Sequence, residues 1–297
     1  MPHYQQQPQS VSKGFKLAIF TFVSLGLMLV IGFIGALSYY FFGGRNCYTE
    51  AVDAIKIVKT NRASGFQRMT EVLEKARDKK IDPTDKANTF YAISSWLDEA
   101  GYYERNLPII DEGIASCQAS GKIGETANLL AQKAKALHKL GRGKEALPFA
   151  LNAVETIKKD PKCAQWDSYL YTNLAEAYLD ANRIEEAKSA LTKAQKANSL
   201  DKTEKSHSHF KVLLLKAEIE LAENQLAESE KDFATTMNFI DKTWKPGEGF
   251  QEEALQEYTK ALKLHNFAER ANYYNAKLDK PLNFYSTTWR SQTAFWD

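Results

Sequence analysis

The segment at residues 168–201, SYLYTNLAEAYLDANRIEEAKSALTKAQKANSLD, most constrains how this chain folds. Its apolar and small residues recur three and four positions apart, on two successive helical faces. The first face consists of Tyr171, Leu174, Ala175 and Tyr178, and the second of Ala187, Leu191 and Ala194. The polar stretch at 180–183 separates the faces and favours a tight turn. The segment therefore predicts an antiparallel helix pair, in which the small Ala175 and Ala187 allow a close crossing.

The same spacing recurs along the chain. A single helix pair cannot bury its own apolar faces, so it needs neighbouring pairs of the same kind. Copies start near Glu50, Ala87, Ala127, Ser168, Phe210 and Gln251. Successive starts lie 37, 40, 41, 42 and 41 residues apart. About six helix pairs in sequence would bury a continuous core without disulfides or metals.

The residue order within each copy resembles the tetratricopeptide repeat (TPR), in which a large residue, Leu, Gly or Ala, and Tyr precede Ala, a large residue and Ala. The usual TPR period is 34 residues, and the longer period here resembles that of kinesin light chains. The resemblance extends from residue 50 to residue 284. It implies an all-α, right-handed α-solenoid of about six helix pairs, which we place at residues 45–284.

The N-terminal region has a different composition. Residues 1–12 are rich in Gln and Pro and predict a disordered tail. Residues 17–42 contain no charged residue, and a helix of that length spans about 39 Å, more than the bilayer core of about 30 Å. A transmembrane signal-anchor helix over residues 13–44 is the favoured interpretation. A cleavable signal peptide ending near Ala36 is the alternative, but the apolar run exceeds its usual length.

The charges around this run bear on location. Lys13 and Lys16 precede it and Arg45 follows it, so charge alone does not fix the orientation. A short tail inside and the repeat domain outside is the commoner arrangement, and no Asn-x-Ser/Thr acceptor follows the run. We therefore expect a bacterial inner-membrane protein with a periplasmic repeat domain, with a cytosol-facing domain as the alternative. Gly32 and Ala36 are spaced for helix contact and suggest a homodimer.

The C-terminal residues 285–297 follow Pro281 and are rich in aromatic side chains. The last pair of a repeat array exposes an apolar face, which needs a cap. We interpret this segment as an aromatic cap, with a docking tail for a partner as the alternative.

Composition and motifs argue against catalysis. The net charge of +2 is small and evenly distributed, which does not favour nucleic acid as a partner. The three cysteines lack paired spacing, and the histidines lack the spacing of metal ligands. No nucleophile elbow or dinucleotide fingerprint appears. We therefore expect no enzyme activity, no cofactor and no metal.

The TPR resemblance implies that the first helix of each pair lines a concave groove that holds an extended or helical peptide. Transferring the family's register to this chain gives the candidate groove residues Tyr91, Asn128, Lys135, His138, Lys139, Tyr169, Asn173, Glu176 and Lys211. Chaperone-binding TPR proteins use this surface to hold a C-terminal carboxylate with Lys, Asn and Arg from successive repeats. Asn173 and Lys211 fall at such positions, but Ala131, Lys135 and Leu215 depart from that pattern.

These observations predict a non-catalytic, membrane-anchored scaffold or adaptor that binds a protein or peptide partner in its groove. We expect such a scaffold to assist the assembly or folding of an envelope complex. The alternatives are a receptor for a targeting or signalling peptide and an accessory subunit of a membrane enzyme complex. All of these functions rest on the fold, which constrains function only loosely.

Overall fold

The computed structural model describes residues 46–200, 207–245 and 249–278, and within them the chain forms helices and no strands. The α-helices follow one another as six antiparallel pairs. In chain order they are α1 (Cys47–Val58), α2 (Arg62–Ala76), α3 (Pro83–Glu99), α4 (Tyr103–Ala119), α5 (Ile123–Lys139), α6 (Gly143–Ile157), α7 (Asp167–Asp180), α8 (Ile184–Leu200), α9 (His207–Ala222), α10 (Leu226–Thr243), α11 (Phe250–Leu264) and α12 (Ala268–Leu278). A short 3-10 helix, Pro161–Trp166, precedes α7. The prediction of an all-α array of helix pairs is confirmed for these residues.

The turn inside a pair has the same geometry in the last five pairs. Each turn contains one residue with a positive φ, between 57° and 78°, which Gly and Asn adopt most readily. These residues are Gly101, Gly141, Asn182, Asn224 and Asn266. At Gly141 the following N–H, of Arg142, donates to the Leu137 carbonyl at 2.8 Å. This bond closes the end of α5 and reverses the chain within three residues.

The first helices of consecutive pairs pack side by side, and the second helices form a layer behind them. Each second helix also contacts the first helix of the next pair, so the pairs form a continuous stack. The close crossing predicted for the fourth pair is confirmed, because Ala175 and Ala187 are both 0% exposed within the core. The second helices cover only one side of the layer of first helices, and the other side is the inner face of the array.

The described helices do not support the predicted membrane location. None of them is both long and apolar enough to cross a bilayer. They are 11 to 18 residues long and bury one apolar stripe against neighbouring helices, whereas a spanning helix needs about 20 apolar residues. We therefore withdraw the prediction of a single-pass inner-membrane protein. This applies to both versions of it, the periplasmic repeat domain and the cytosol-facing one.

Several sequence-based predictions lie outside the described residues. These are the tail at 1–12, the helix at 13–44 with its apolar run at 17–42, and the aromatic segment at 285–297. The homodimer contact through Gly32 and Ala36 belongs to the same region. The structure gives no evidence about these elements.

Candidate functional site

A groove of about 1300 Å³, the inner groove, runs along the free face of the first helices. Its walls come mainly from α3, α5, α7 and α11, with Ser208 and Glu218 contributed by α9. An adjoining cavity of about 20 Å³ shares Lys135, Lys139 and Tyr169 with the groove wall. The stacking of first helices therefore brings side chains from five pairs into one recess.

All nine candidate residues line one of these two spaces. Those lining the inner groove are Tyr91, Asn128, Lys135, His138, Lys139 and Tyr169. Those lining only the adjoining cavity are Asn173, Glu176 and Lys211. The structure thus brings the set together, and a role of these residues in peptide binding stays a prediction.

Gln132 organises the polar wall between α3 and α5. Its Oε1 accepts a hydrogen bond from Ser94 at 2.8 Å, and its Nε2 donates to Ser95 at 3.0 Å and to Asn128 at 2.6 Å. This single amide therefore links the first helices of the second and third pairs. Sequence reasoning missed it because one Gln on a helix face carries no distinctive signal.

Lys135 forms a largely buried ion pair with Asp98, and its Nζ donates to Asp98 Oδ2 at 2.9 Å. Burial by itself lowers the pKa of Lys135, but the Asp98 carboxylate outweighs it and holds that pKa well above the ordinary value. Lys135 is therefore charged, and its charge is already matched by its own chain.

Four charged residues on α5, α9 and α11 form what we call the ion cluster, namely Lys139, Lys211, Glu253 and Glu257. Lys211 Nζ lies 2.8 Å from Glu253 Oε1 and 2.5 Å from Glu257 Oε2. Lys139 Nζ contacts Glu257 Oε1 and lies 3.9 Å from Glu253 Oε1. Burial and the neighbouring Lys211 lower the pKa of Lys139 to about 7. The ion cluster connects the third, fifth and sixth pairs across the groove.

Carboxylates concentrate beside the ion cluster. His138 Nδ1 lies 2.7 Å from Asp180 Oδ2, and Glu176 and Glu218 interact with the same imidazole electrostatically. Burial, followed by the charge of Glu176, raises the pKa of Glu218 to about 7. Among the described residues, no Lys or Arg nitrogen lies within 4.0 Å of the Glu176 or Glu218 carboxylate. Burial raises the pKa of Glu176, but the nearby His138, Lys211, Lys139 and Lys135 outweigh it and lower that pKa, so Glu176 is charged in a cationic surrounding. Glu218 is only partly charged at neutral pH.

Three buried polar atoms around the groove have no hydrogen-bond partner among the described residues. They are Asp98 Oδ1, Asn173 Oδ1 and Tyr169 Oη. The Asn173 amide nitrogen is satisfied, because it donates to the Tyr169 carbonyl at 2.8 Å. Such unpartnered buried atoms are uncommon in folded proteins and often mark functional positions.

The departures from the carboxylate-holding pattern have a structural basis. Ala131 and Leu215 are buried in the core, at 0% and 1% exposure, and do not reach the groove. Lys211 lines the adjoining cavity, where its ammonium group is already paired with two glutamates of α11. The expected clamp for a ligand carboxylate is therefore incomplete.

The sixth pair contributes groove residues that the candidate set omits, chiefly Glu253 and Glu257. The 41-residue spacing between the last two copies leads from Lys211 to Glu252, which also lines the groove, and gives no signal for Glu253. Glu257 likewise had no signal, since the same step leads to it from Lys216, which is not a candidate residue.

The described residues contain no group of three or more His, Cys, Asp or Glu side chains placed to hold a metal ion. Two of the cysteines, Cys47 and Cys117, are buried free thiols. Burial raises the pKa of Cys117 to about 12, which keeps it protonated and unreactive at neutral pH.

No family model matches the chain, and no curated protein matches it. Among solved structures it is similar to BtubC (BKLC) from P. vanneervenii, with 12% identity, a TM-score of 0.49, and coverage of 68% of this chain and 91% of that one. It is also similar to a candidate kinesin light chain from Podosopora anserina with nearly identical TPR-like repeats, at 14% identity, a TM-score of 0.43 and coverage of 66% and 94%. A single-substitution variant of that protein has 14% identity to this chain and a TM-score of 0.44, with coverage of 66% of this chain and 93% of that one. The described residues form an array of repeated helix pairs.

Proposed function

We propose that this chain is a non-catalytic protein-interaction scaffold that holds an extended or helical segment of a partner in the inner groove. The observation that carries the proposal is the groove itself, a recess of about 1300 Å³ built by side chains from consecutive first helices. Repeat arrays use such extended surfaces to bind other macromolecules.

The size and lining of the groove favour a polypeptide over a small molecule. Pockets for drug-sized ligands typically measure about 300 to 1,000 Å³. The inner groove is larger and presents aromatic, amide and charged side chains along its length, such as Tyr91, Gln132 and Lys139. Hydrogen-bonding groups spread over several helices suit a chain with many backbone and side-chain partners.

The proposal is tested by photo-crosslinking in extracts of the source organism. A photoreactive amino acid replaces Asn128 or Lys260, which line the groove, and in matched controls it replaces the exposed Glu155 or Glu228 of second helices. We expect the two groove positions to capture the same partner segment, identified by mass spectrometry. A synthetic peptide of that segment should then bind the purified chain and suppress the crosslink.

Equal capture from both faces would contradict the proposal. So would a captured peptide that binds the purified chain equally well when Asn128 carries a bulky aromatic substitution.

A further inference from the structure

We propose that the inner groove selects a basic segment, and that one Lys or Arg side chain of that segment lies against Asp180 and Glu218, which line the groove. This inference rests on the proposed function and assigns a ligand chemistry to it. The occupant is a partner polypeptide with exposed positive charge.

The first argument is charge complementarity. The lysines deepest in the recess are already neutralised within the chain, because Lys135 is paired with Asp98 and both Lys139 and Lys211 contact Glu257. The two spaces are lined by more carboxylates than lysines, so the recess keeps an excess of negative charge. A surface of one sign attracts a segment of the other sign and disfavours a like-charged one.

The second argument is the polarity of the unpartnered atoms. Asp98 and Asn173 are more than nine-tenths buried, and each has one oxygen without a hydrogen-bond partner in the described structure. Both oxygens are acceptors, so they call for N–H donors. A Lys ammonium supplies three donors and an Arg guanidinium supplies five, and neither carries an acceptor. The two unpartnered oxygens therefore favour a side chain rich in donors, whereas the Tyr169 hydroxyl can donate or accept.

The third argument is the state of Glu218, which lines the groove. Burial and the nearby charge of Glu176 raise the pKa of Glu218. An incoming cation would stabilise the charged form of Glu218, since an opposite charge nearby lowers the pKa of a carboxyl group. An acidic segment would have the opposite effect and would also compete with Glu253 and Glu257 for the two lysines of the ion cluster.

The inference is tested by fluorescence anisotropy with two labelled peptides of equal length and equal Gly/Ser spacing, one carrying Arg and the other Glu. We expect the full chain to bind the Arg peptide more tightly, with an affinity that falls as NaCl is added. The double substitution Asp180→Asn/Glu218→Gln should weaken Arg-peptide binding by about tenfold or more. Glu104→Gln/Glu155→Gln removes the same charge from exposed second-helix positions and should change binding little.

Equal or tighter binding of the Glu peptide would overturn the inference. Unchanged Arg-peptide binding in the Asp180→Asn/Glu218→Gln chain would also overturn it, given unchanged helical content by circular dichroism. If that double variant does not fold, Glu218→Gln alone provides the same comparison. A crosslinked neutral or acidic segment in the groove would reject the basic chemistry while leaving the proposed function intact. Failure of the groove positions to capture any segment would reject both.

Discussion

The inner and outer faces of the array use charged residues in different ways. On the outer face, Arg142 pairs with Glu145 at 2.8 Å and Arg183 pairs with Glu186 at 2.6 Å, each within one turn of the same chain segment. On the inner face, the ion pairs join helices that are far apart in the sequence, such as Lys139 on α5 and Glu257 on α11. Ion pairs outside the groove can also be tertiary, as between Arg77 at the end of α2 and Glu112 on α4, so exposure and not sequence distance distinguishes the two faces.

Exposure determines what this difference means for stability. Arg183 and Glu186 have about 46% and 45% of their side-chain surface exposed, and water screens such pairs effectively. Lys211 and Glu257 have only 8% and 15% exposed, so either one would be costly to leave unpaired. The inner face therefore combines a structural role for its paired charges with recognition by its unpaired ones.

The largest expected effect comes from breaking the ion cluster. Glu257→Gln removes the carboxylate that Lys139 and Lys211 share, and it should lower the free energy of unfolding by about 3 kcal/mol. Urea denaturation monitored by circular dichroism measures this change. Replacing both partners, in Lys139→Met/Glu257→Met, should recover much of the loss. A change below about 0.5 kcal/mol in Glu257→Gln would show that the cluster is not structural.

A smaller effect is expected at the other inner pair. Asp98→Asn leaves the buried ammonium of Lys135 without its counter-charge and should cost about 2 kcal/mol in the same assay. The matched control is Lys135→Gln/Asp98→Asn, which removes both charges and should be more stable than Asp98→Asn alone. If the single and double variants were equally stable, Lys135 and Asp98 would not be coupled.

The pH dependence of stability provides a third comparison. The pKa of Glu218 is about 7 in the folded chain and 4.5 ordinarily, so folding favours the protonated form. The resulting stabilisation is complete below about pH 4.5 and is lost as the pH rises through 7. Between pH 5 and pH 8 the wild-type chain should therefore lose about 1 to 2 kcal/mol more stability than Glu218→Gln. The pKa of Glu220 is also raised to about 7, but Glu220 is present in both chains, so its contribution to the pH dependence cancels in the comparison. Parallel profiles for the two chains would contradict the assigned environment of Glu218.

The smallest effect is expected on the outer face. Arg183→Ala removes an exposed pair inside one helical turn and should leave the thermal midpoint unchanged. Differential scanning calorimetry of this variant beside Glu257→Gln tests the contrast between the faces directly. A clear drop for Arg183→Ala would mean that local outer pairs matter as much as tertiary inner ones.

Local sequence patterns carried enough information to predict the helix pairs. The crossing at Ala175 and Ala187 follows from small residues at regular spacing, and the turn at Asn182 follows from a residue type that tolerates a positive φ. The position of the groove residues was also predictable, because a constant period places equivalent positions on one face.

The pairing of the inner charges was not predictable in the same way. Contact between Lys139 and Glu257 depends on how far the stack curves between the third and sixth pairs. That curvature is the sum of small rotations from one pair to the next, which no single repeat encodes. The sequence around Asp98 likewise does not indicate whether this residue is a buried partner of Lys135 or a solvent-exposed helix residue.

Hydrogen exchange of the full chain, alone and with the Arg peptide, tests the central claim that the inner face binds the partner. The account predicts slower exchange in α5, α7, α9 and α11, whose side chains line the recess, and little change in α6, α8 and α10. The Asp180→Asn/Glu218→Gln chain should lose this protection at the same peptide concentration. Protection concentrated in the second helices would contradict the account, as would protection that persists in the double variant.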